Sequence, residues 1–330
     1  MRPVLAAAAL LALAAPALAQ EAPEPPTPAS VVAAAPASDW KPIDPADLLV
    51  MTLAPDRDGN PREVVIQLVP PPFSQPWVEN IRTLARAHWW DGTSVYRVVD
   101  NWVAQWGDVD EAKALPEGVR TTSADAFVTR VERDPEEIRD YVLTPDRAEI
   151  VVSRFIDSYA VTAFVAGWPV GLDDEGGATA WPAHCYAVVG VARSLEDMGS
   201  GSELYAVIGH APRQLDRNIA VVGRVIEGIE HLSTLPRGKG EAGVYDDPAL
   251  RVPIVSVRLM SELLEEESKK RGLYLGGSRW PSYQYLSTES DSFAQYAHVR
   301  ANRHDDFYKV PAGGVDICNL PVPVRGLLGQ

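Results

Sequence analysis

Apolar and polar residues alternate in short runs over much of this chain, and a period of two predicts β-strands. Leu48–Leu53 and Val64–Val69 flank an Asp58-Gly59 turn signal and read as a hairpin. Ser94–Val99 and Trp102–Trp106 read as a second hairpin across Asp100-Asn101, two residues that tolerate positive φ. That register sets Arg97 roughly opposite Trp102, on the same face. Cys185–Val191, Leu204–Ile208, Ile219–Val225 and Val252–Met260 complete the principal strands. Helical periodicity is rarer. From Ser74 to His88, Val78, Ile81, Leu84 and Ala85 recur on one face, with Ser74 placed to cap and Pro76 in the first turn. Ile229–Leu235 is a short second helix. Ser261–Arg271 is a third, acidic early and basic late, as the helix dipole favours.

The remaining segments set the domain organisation. Residues 1–19 have a basic start, an Ala/Leu run and the small-x-small end Ala17-Leu18-Ala19, which reads as a secretory leader cut before Gln20. A periplasmic or secreted location follows, and no later run is apolar enough for a membrane span. Residues 20–38 are rich in Pro and Ala and poor in bulky apolar groups, so a disordered linker is expected, with structure starting near Asp39-Trp40. Residues 39–260 form the main domain, interrupted by an insertion at about 109–183. Within it Pro135–Val142 suggests a short helix, and Ala148–Phe155 and Ala160–Val165 suggest an added strand pair extending the sheet. Trp168-Pro169-Val170 and Asp173–Ala178 read as loop, and the insertion as a tolerated passenger rather than a flap. Residues 261–330 carry Trp280, Tyr283, Tyr285, Phe293, Tyr296, Phe307 and Tyr308, too many aromatics for a solvated tail, so this extension packs on the main domain.

Composition narrows the partners. The formal charge is −15, and loss of Arg2 with the leader makes it one unit more negative. So acidic a chain repels phosphate backbones, which argues against nucleic-acid binding. The six histidines are scattered, and the two cysteines have no metal-ligand spacing. Cys185 sits in an apolar run and reads as a small buried hydrophobe; export also permits a Cys185–Cys318 disulfide.

The chemistry concentrates in the second hairpin. A lone strand arginine is ordinarily a solvated edge charge, but Tyr96, Val98, Trp102, Val103 and Trp106 make this ribbon too apolar for a surface. Here the sequence resembles the cyclophilin-type peptidyl-prolyl isomerases. Arg97 and Gln105 keep the family's spacing, Gly107-Asp108 follows, and an aromatic, Tyr96, stands directly before the arginine. Gly201-Ser202-Glu203-Leu204-Tyr205 is similar to the family's Gly-Ser-Gln-Phe-Phe, and Leu215-Asp216 with Val222–Gly228 to its closing block. The resemblance covers roughly Asp47 to Met260.

It implies a mainly β fold, a closed eight-stranded antiparallel barrel capped by two helices, and an isomerase acting on proline-containing polypeptides without cofactor or metal. Arg97 would stabilise the twisted amide, and Gln105 would orient it. Trp102, Val103, Glu203, Tyr205, Leu215 and Ile219 would bind substrate. The rim departs from the family: Glu203 replaces Gln, Gln214 replaces Trp, Ile219 replaces His, Val222 replaces Phe, and Arg193 or Ser194 replaces Asn. A non-catalytic periplasmic chaperone or peptide-binding module on the same fold is therefore the alternative. A hydrolase built on Ser200 or Ser202 lacks the strand–elbow–helix context it needs. Glu203 is expected either to pair with Arg97, in which case Glu203→Gln raises turnover, or to face solvent.

Overall fold

The structure is a computed structural model describing residues 24–130, 158–173, 179–271 and 279–327. Its strands in chain order are β1 (Trp40–Pro42), β2 (Leu48–Leu53), β3 (Arg62–Leu68), β4 (Ser94–Val98), β5 (Val103–Gly107), β6 (Thr129–Arg130), β7 (Val161–Val165), β8 (Trp168–Asp173), β9 (Thr179–Pro182), β10 (Val188–Val191), β11 (Leu204–Val207), β12 (Val221–Glu227), β13 (Val252–Leu259), β14 (Ser282–Leu286) and β15 (Val324–Leu327). The helices are α1 (Pro28–Ala34), α2 (Gln75–Arg86), α3 (Glu230–Ser233), α4 (Met260–Arg271) and α5 (Asp291–Ala301).

Eight strands close into an antiparallel barrel in the order β10-β11-β5-β4-β13-β2-β3-β12, as the resemblance implies. Closure leaves no edge to pair with another chain. Alternate residues such as Met51, Val64, Ile66 and Val95 point inward, and α2 packs against β13 and β12 with Trp77, Val78, Ile81, Leu84 and Ala85 buried in the same core. The cap at α2 differs in detail from the sequence reading. Ser74 adopts a left-handed conformation and makes no capping bond, and the helix stops at Arg86, two residues before His88 turns to φ 56°. The second cap, α3, is a single turn.

Several other expectations are corrected. Residues 27–38, assigned to a disordered linker, include α1, with Thr27 and Ser30 forming a capping box. So short a helix is marginal alone; it is held here because it packs on α5 and buries Val31. Arg97 pairs with Gln105, not Trp102, because the loop spans three residues, 100–102, with Asn101 at φ 52° and Trp102 itself in the loop; Tyr96, on the other side of Arg97, is an extra bulged residue. Trp168–Asp173 is a strand rather than a loop. Instead of extending the barrel, the insertion builds a separate sheet in the order β6-β9-β8-β7. Cys185 is not a free buried thiol: it is joined to Cys318. The helix at Pro135–Val142, the strand at Ala148–Phe155 and the leader lie outside the described residues, as does most of the Asp173–Ala178 loop.

Residues 279–327 lie against the barrel and the insertion. β14 pairs with β1 and β15, Phe293 of α5 meets Phe164 of β7 edge-on at 5.0 Å, and Phe293, Leu286 and Leu320 belong to the barrel's own core cluster. Among the described residues no helix is long and apolar enough to cross a membrane.

Candidate active site

The local fold of three segments assembles the site. The bulge in β4 presents the Arg97 and Tyr96 side chains together, while β5 sets Gln105 opposite Arg97 and next to Tyr205 of β11. The segment 199–202 is held by α2 and its C-terminal flank. Trp77 Nε1 donates to the Gly199 carbonyl (2.8 Å), Asn80 Nδ2 to Ser200 (2.9 Å) and Trp90 Nε1 to Ser202 (2.8 Å). Glu203 therefore enters the site from a fixed backbone. Ser200 Oγ donates to Ser202 Oγ (2.9 Å) and a strand follows, so the geometry required for a serine nucleophile is missing.

Arg97 is half-buried, and burial lowers its pKa, though a guanidinium stays charged. Its Nη1 donates to Gln105 Oε1 (2.8 Å) and its Nε to the carbonyl of Ala242 (2.6 Å). The guanidinium carbon lies 5.5 Å from the centre of the Trp102 ring. Nη2 makes no hydrogen bond among the described residues. The carbonyl that holds Nε belongs to loop 238–245, which is itself anchored on β4: Gly238 N donates to Val98 O (2.8 Å) and Tyr245 N to Tyr96 O (2.9 Å). Ala242 sits at φ 52°, an uncommon conformation for a residue with a Cβ, and this turns its carbonyl to the arginine.

Glu203 does not pair with Arg97, and it is half-buried at the cavity wall rather than free in solvent. Its Oε1 accepts from the Asp108 backbone N–H (2.6 Å) and its Oε2 from the Tyr96 hydroxyl (2.8 Å). Tyr96 in turn accepts from Gln105 Nε2 (2.6 Å). Burial pushes the Glu203 pKa up, with the Asp108 and Glu111 charges adding to it, against the hydrogen bonds from Tyr96 and Asp108. Burial and the Glu203 charge keep the Tyr96 hydroxyl protonated. The expected Glu203–Arg97 ion pair is thus absent because two side chains stand between them.

Beside this chain opens a cavity of about 440 Å³, lined by Tyr96, Gln105 and Glu203 with Lys113, Arg193 and Ser194 among others. Glu111, Lys113 and Leu115, from the start of the insertion, line one side of it.

The other predicted substrate residues divide by exposure. Trp102, Leu215 and Ile219 are half-buried, whereas Val103 is buried and Tyr205 is only 4% exposed. The Tyr205 ring crosses Gly190, where a Cβ would fall 2.3 Å from the hydroxyl, and the hydroxyl meets His184 Nε2 at 3.0 Å. His184 Nδ1 lies 3.0 Å from Asp216 Oδ1, and Arg213 Nε donates to Asp216 Oδ2 (2.6 Å). A carboxylate only accepts, so Nδ1 carries the imidazole proton and Nε2 accepts from Tyr205. Burial opposes ionisation of Asp216, but the bonds from His184 and Arg213 prevail and lower its pKa.

Sequence reading missed Ala242, His184 and Arg213. Only Asp216 stood in a recognisable motif; the glycine-rich run 238–243 was a weak pointer to Ala242, and nothing local marks His184.

The chain resembles known proteins over this region. The family model of cyclophilin type peptidyl-prolyl cis-trans isomerases matches residues 64–259. No curated protein matches. Among solved structures, the cyclophilin AquaCyp293 from Hirschia baltica superposes with a TM-score of 0.63 at 22% identity, over 93% of this chain and 99% of that one. At that identity the likeness speaks for the fold. The matched span holds seven of the eight barrel strands and the whole Arg97–Gln105–Tyr96–Glu203 constellation, and the chain belongs to the cyclophilin-type peptidyl-prolyl cis–trans isomerase family.

Proposed function

We propose that the protein is a peptidyl-prolyl cis–trans isomerase acting on X–Pro bonds of exported polypeptides, with Arg97 stabilising the twisted prolyl amide. Amide resonance imposes a rotation barrier of about 18–20 kcal/mol. Twisting breaks the resonance and leaves the prolyl nitrogen pyramidal, with a lone pair that the planar ground state lacks. A guanidinium N–H aimed at that lone pair bonds only in the transition state, so it lowers the barrier rather than merely holding substrate. The anchoring of Arg97 carries this reading. Nε and Nη1 are fixed by Ala242 and Gln105, so the group cannot swing, while Nη2 retains donors. Trp102, Leu215 and Ile219, which are half-buried, supply apolar surface for a proline ring, with Val103 buried behind it. No proton changes hands in the reaction, so no general acid or base is needed.

The leader at residues 1–19 supports exported clients, and the Cys185–Cys318 bond supports an oxidising compartment. The second reading, a binding module with little catalysis, draws on Tyr205. Turned back to His184, its ring presents little face to the groove.

A prolyl-isomerisation assay on the mature protein beside Arg97→Ala separates the two. Catalysis that falls about 100-fold or more in the variant supports the enzyme, by analogy with loss of one transition-state donor elsewhere. No acceleration by either protein supports the binding module.

A further inference from the structure

We propose that Glu203 is a positioning residue for Arg97: by ending the Arg97–Gln105–Tyr96 hydrogen-bond chain in an obligate acceptor, it fixes which end of the Gln105 amide faces the guanidinium. This rests on Arg97 being the catalytic guanidinium, although its structural part can be tested without activity.

The direction of the chain follows from what each end can do. A guanidinium only donates and a carboxylate only accepts, whereas an amide and a hydroxyl do both. With those ends fixed, the three bonds run one way. Arg97 Nη1 donates to Gln105 Oε1 (2.8 Å), Gln105 Nε2 donates to Tyr96 Oη (2.6 Å), and Tyr96 Oη donates to Glu203 Oε2 (2.8 Å). Tyr96 and Gln105 are each 9% exposed, so water competes little for these bonds.

A second contact decides what a neutral residue at 203 would do. The Asp108 backbone N–H donates to Glu203 Oε1 (2.6 Å), and a peptide N–H cannot reverse its role. In Glu203→Gln the amide oxygen is claimed by Asp108, which turns the NH₂ toward Tyr96. Tyr96 then either keeps a buried hydroxyl proton without an acceptor or donates it to Gln105 Oε1. The second choice flips the Gln105 amide and sets its NH₂ against the Arg97 N–H groups, donor facing donor. Both outcomes loosen the group that aims Arg97. The backbone is also shaped for the carboxylate: a Cβ at Gly107 would fall 2.0 Å from Glu203 Oε1, so an alanine there has no room while Glu203 is in place. This reverses the direction expected from a direct Glu203–Arg97 pair, for which neutralising Glu203 would have freed the arginine.

The test combines activity with a side-chain spectrum on the full mature protein. Glu203→Gln and Tyr96→Phe should each lower kcat/KM by about 10- to 100-fold, the scale of a slightly misplaced catalytic group, mainly through kcat. The double variant should cost no more than the worse single one, because both break the same chain. Independently of turnover, the ¹⁵N signals of Arg97 Nε–H and the Gln105 side-chain NH₂ should shift and broaden in both variants. They should stay put in Glu265→Gln, which removes one negative charge on α4. Unchanged Arg97 and Gln105 signals in folded Glu203→Gln overturn the proposal, as does an additive double variant. If the wild type accelerates no isomerisation, the function reading fails, and the spectra still decide whether Glu203 positions Arg97.

Discussion

A donor helps a twisted amide only if its neighbours hold it without using it up. At Arg97 two N–H groups are committed and the group rests over Trp102, so its remaining donors keep one direction. The Glu203 carboxylate must be ionised to impose its acceptor role, and its raised pKa gives a pH dependence with a definite sign. Protonation makes Glu203 able to donate to Tyr96, which removes the directional lock. Activity should therefore fall on acidification through a midpoint above the ordinary carboxylate range, the direction of the shift that burial causes. The groups facing Glu203 are Tyr96 from β4, and Asp108 and Glu111 after β5, whose charges push the midpoint further up. Lys113, Arg193 and Asp197 line the same cavity. A kcat–pH profile tests this: the acidic limb should be lost in Glu203→Gln, and its survival there would assign it to another group.

The bulge in β4 shows how one extra residue in a strand makes a site. Without it, Tyr96 and Arg97 would take opposite faces of the pleat, as successive strand residues do. With it, Tyr96 contributes its hydroxyl to the network that fixes Arg97. A second element-scale feature is the tether between Cys185, just before β10, and Cys318 in the extension, 133 residues apart in sequence. A cross-link closing so long a loop removes much of the unfolded chain's freedom and typically contributes about 2–5 kcal/mol. Cys318→Ser should lower the denaturant midpoint accordingly, and it should make the extension susceptible to limited proteolysis before the barrel unfolds. An unchanged midpoint would mean that packing alone holds the extension. Because Cys185 follows His184 directly, the same variant should also weaken the His184–Tyr205 contact.

At the scale of the molecule, barrel, insertion and extension share one core. Phe293, Leu286 and Leu320 from the extension are buried with Met51 and Val64 of the barrel and Phe164 of the insertion. Arg224 on the barrel donates through Nη1 to the Gly167 carbonyl (2.8 Å), and Gly167 N donates to Thr288 Oγ1 (3.3 Å), so the insertion bridges the other two parts. Truncation after residue 271 would uncover Trp40, Phe164 and their neighbours. It is expected to lower the melting temperature and promote aggregation through the exposed apolar surface. A truncated chain that melts where the full one does would show that the barrel is self-sufficient.

Some features of this protein follow from interactions that are local along the chain. Strand alternation marked all eight barrel strands to within a few residues, because inward and outward positions repeat every second residue. The Arg97–Gln105 spacing and the Gly201–Tyr205 block marked residues that the fold brings together, since both partners lie in one hairpin or its neighbour. The other features depend on contacts between residues far apart in the chain. Whether α1 is helix or linker depends on α5, more than 250 residues away, covering Val31. Whether Cys185 is a thiol or half of a disulfide depends on where a distant loop returns. Glu203 could not be read as partner or bystander of Arg97 until a bulge, invisible to a period-two pattern, put Tyr96 between them. Hydrogen bonding is directional and short-ranged, so its wiring follows from positions in space, while alternation and turn chemistry act between residues already close in the chain.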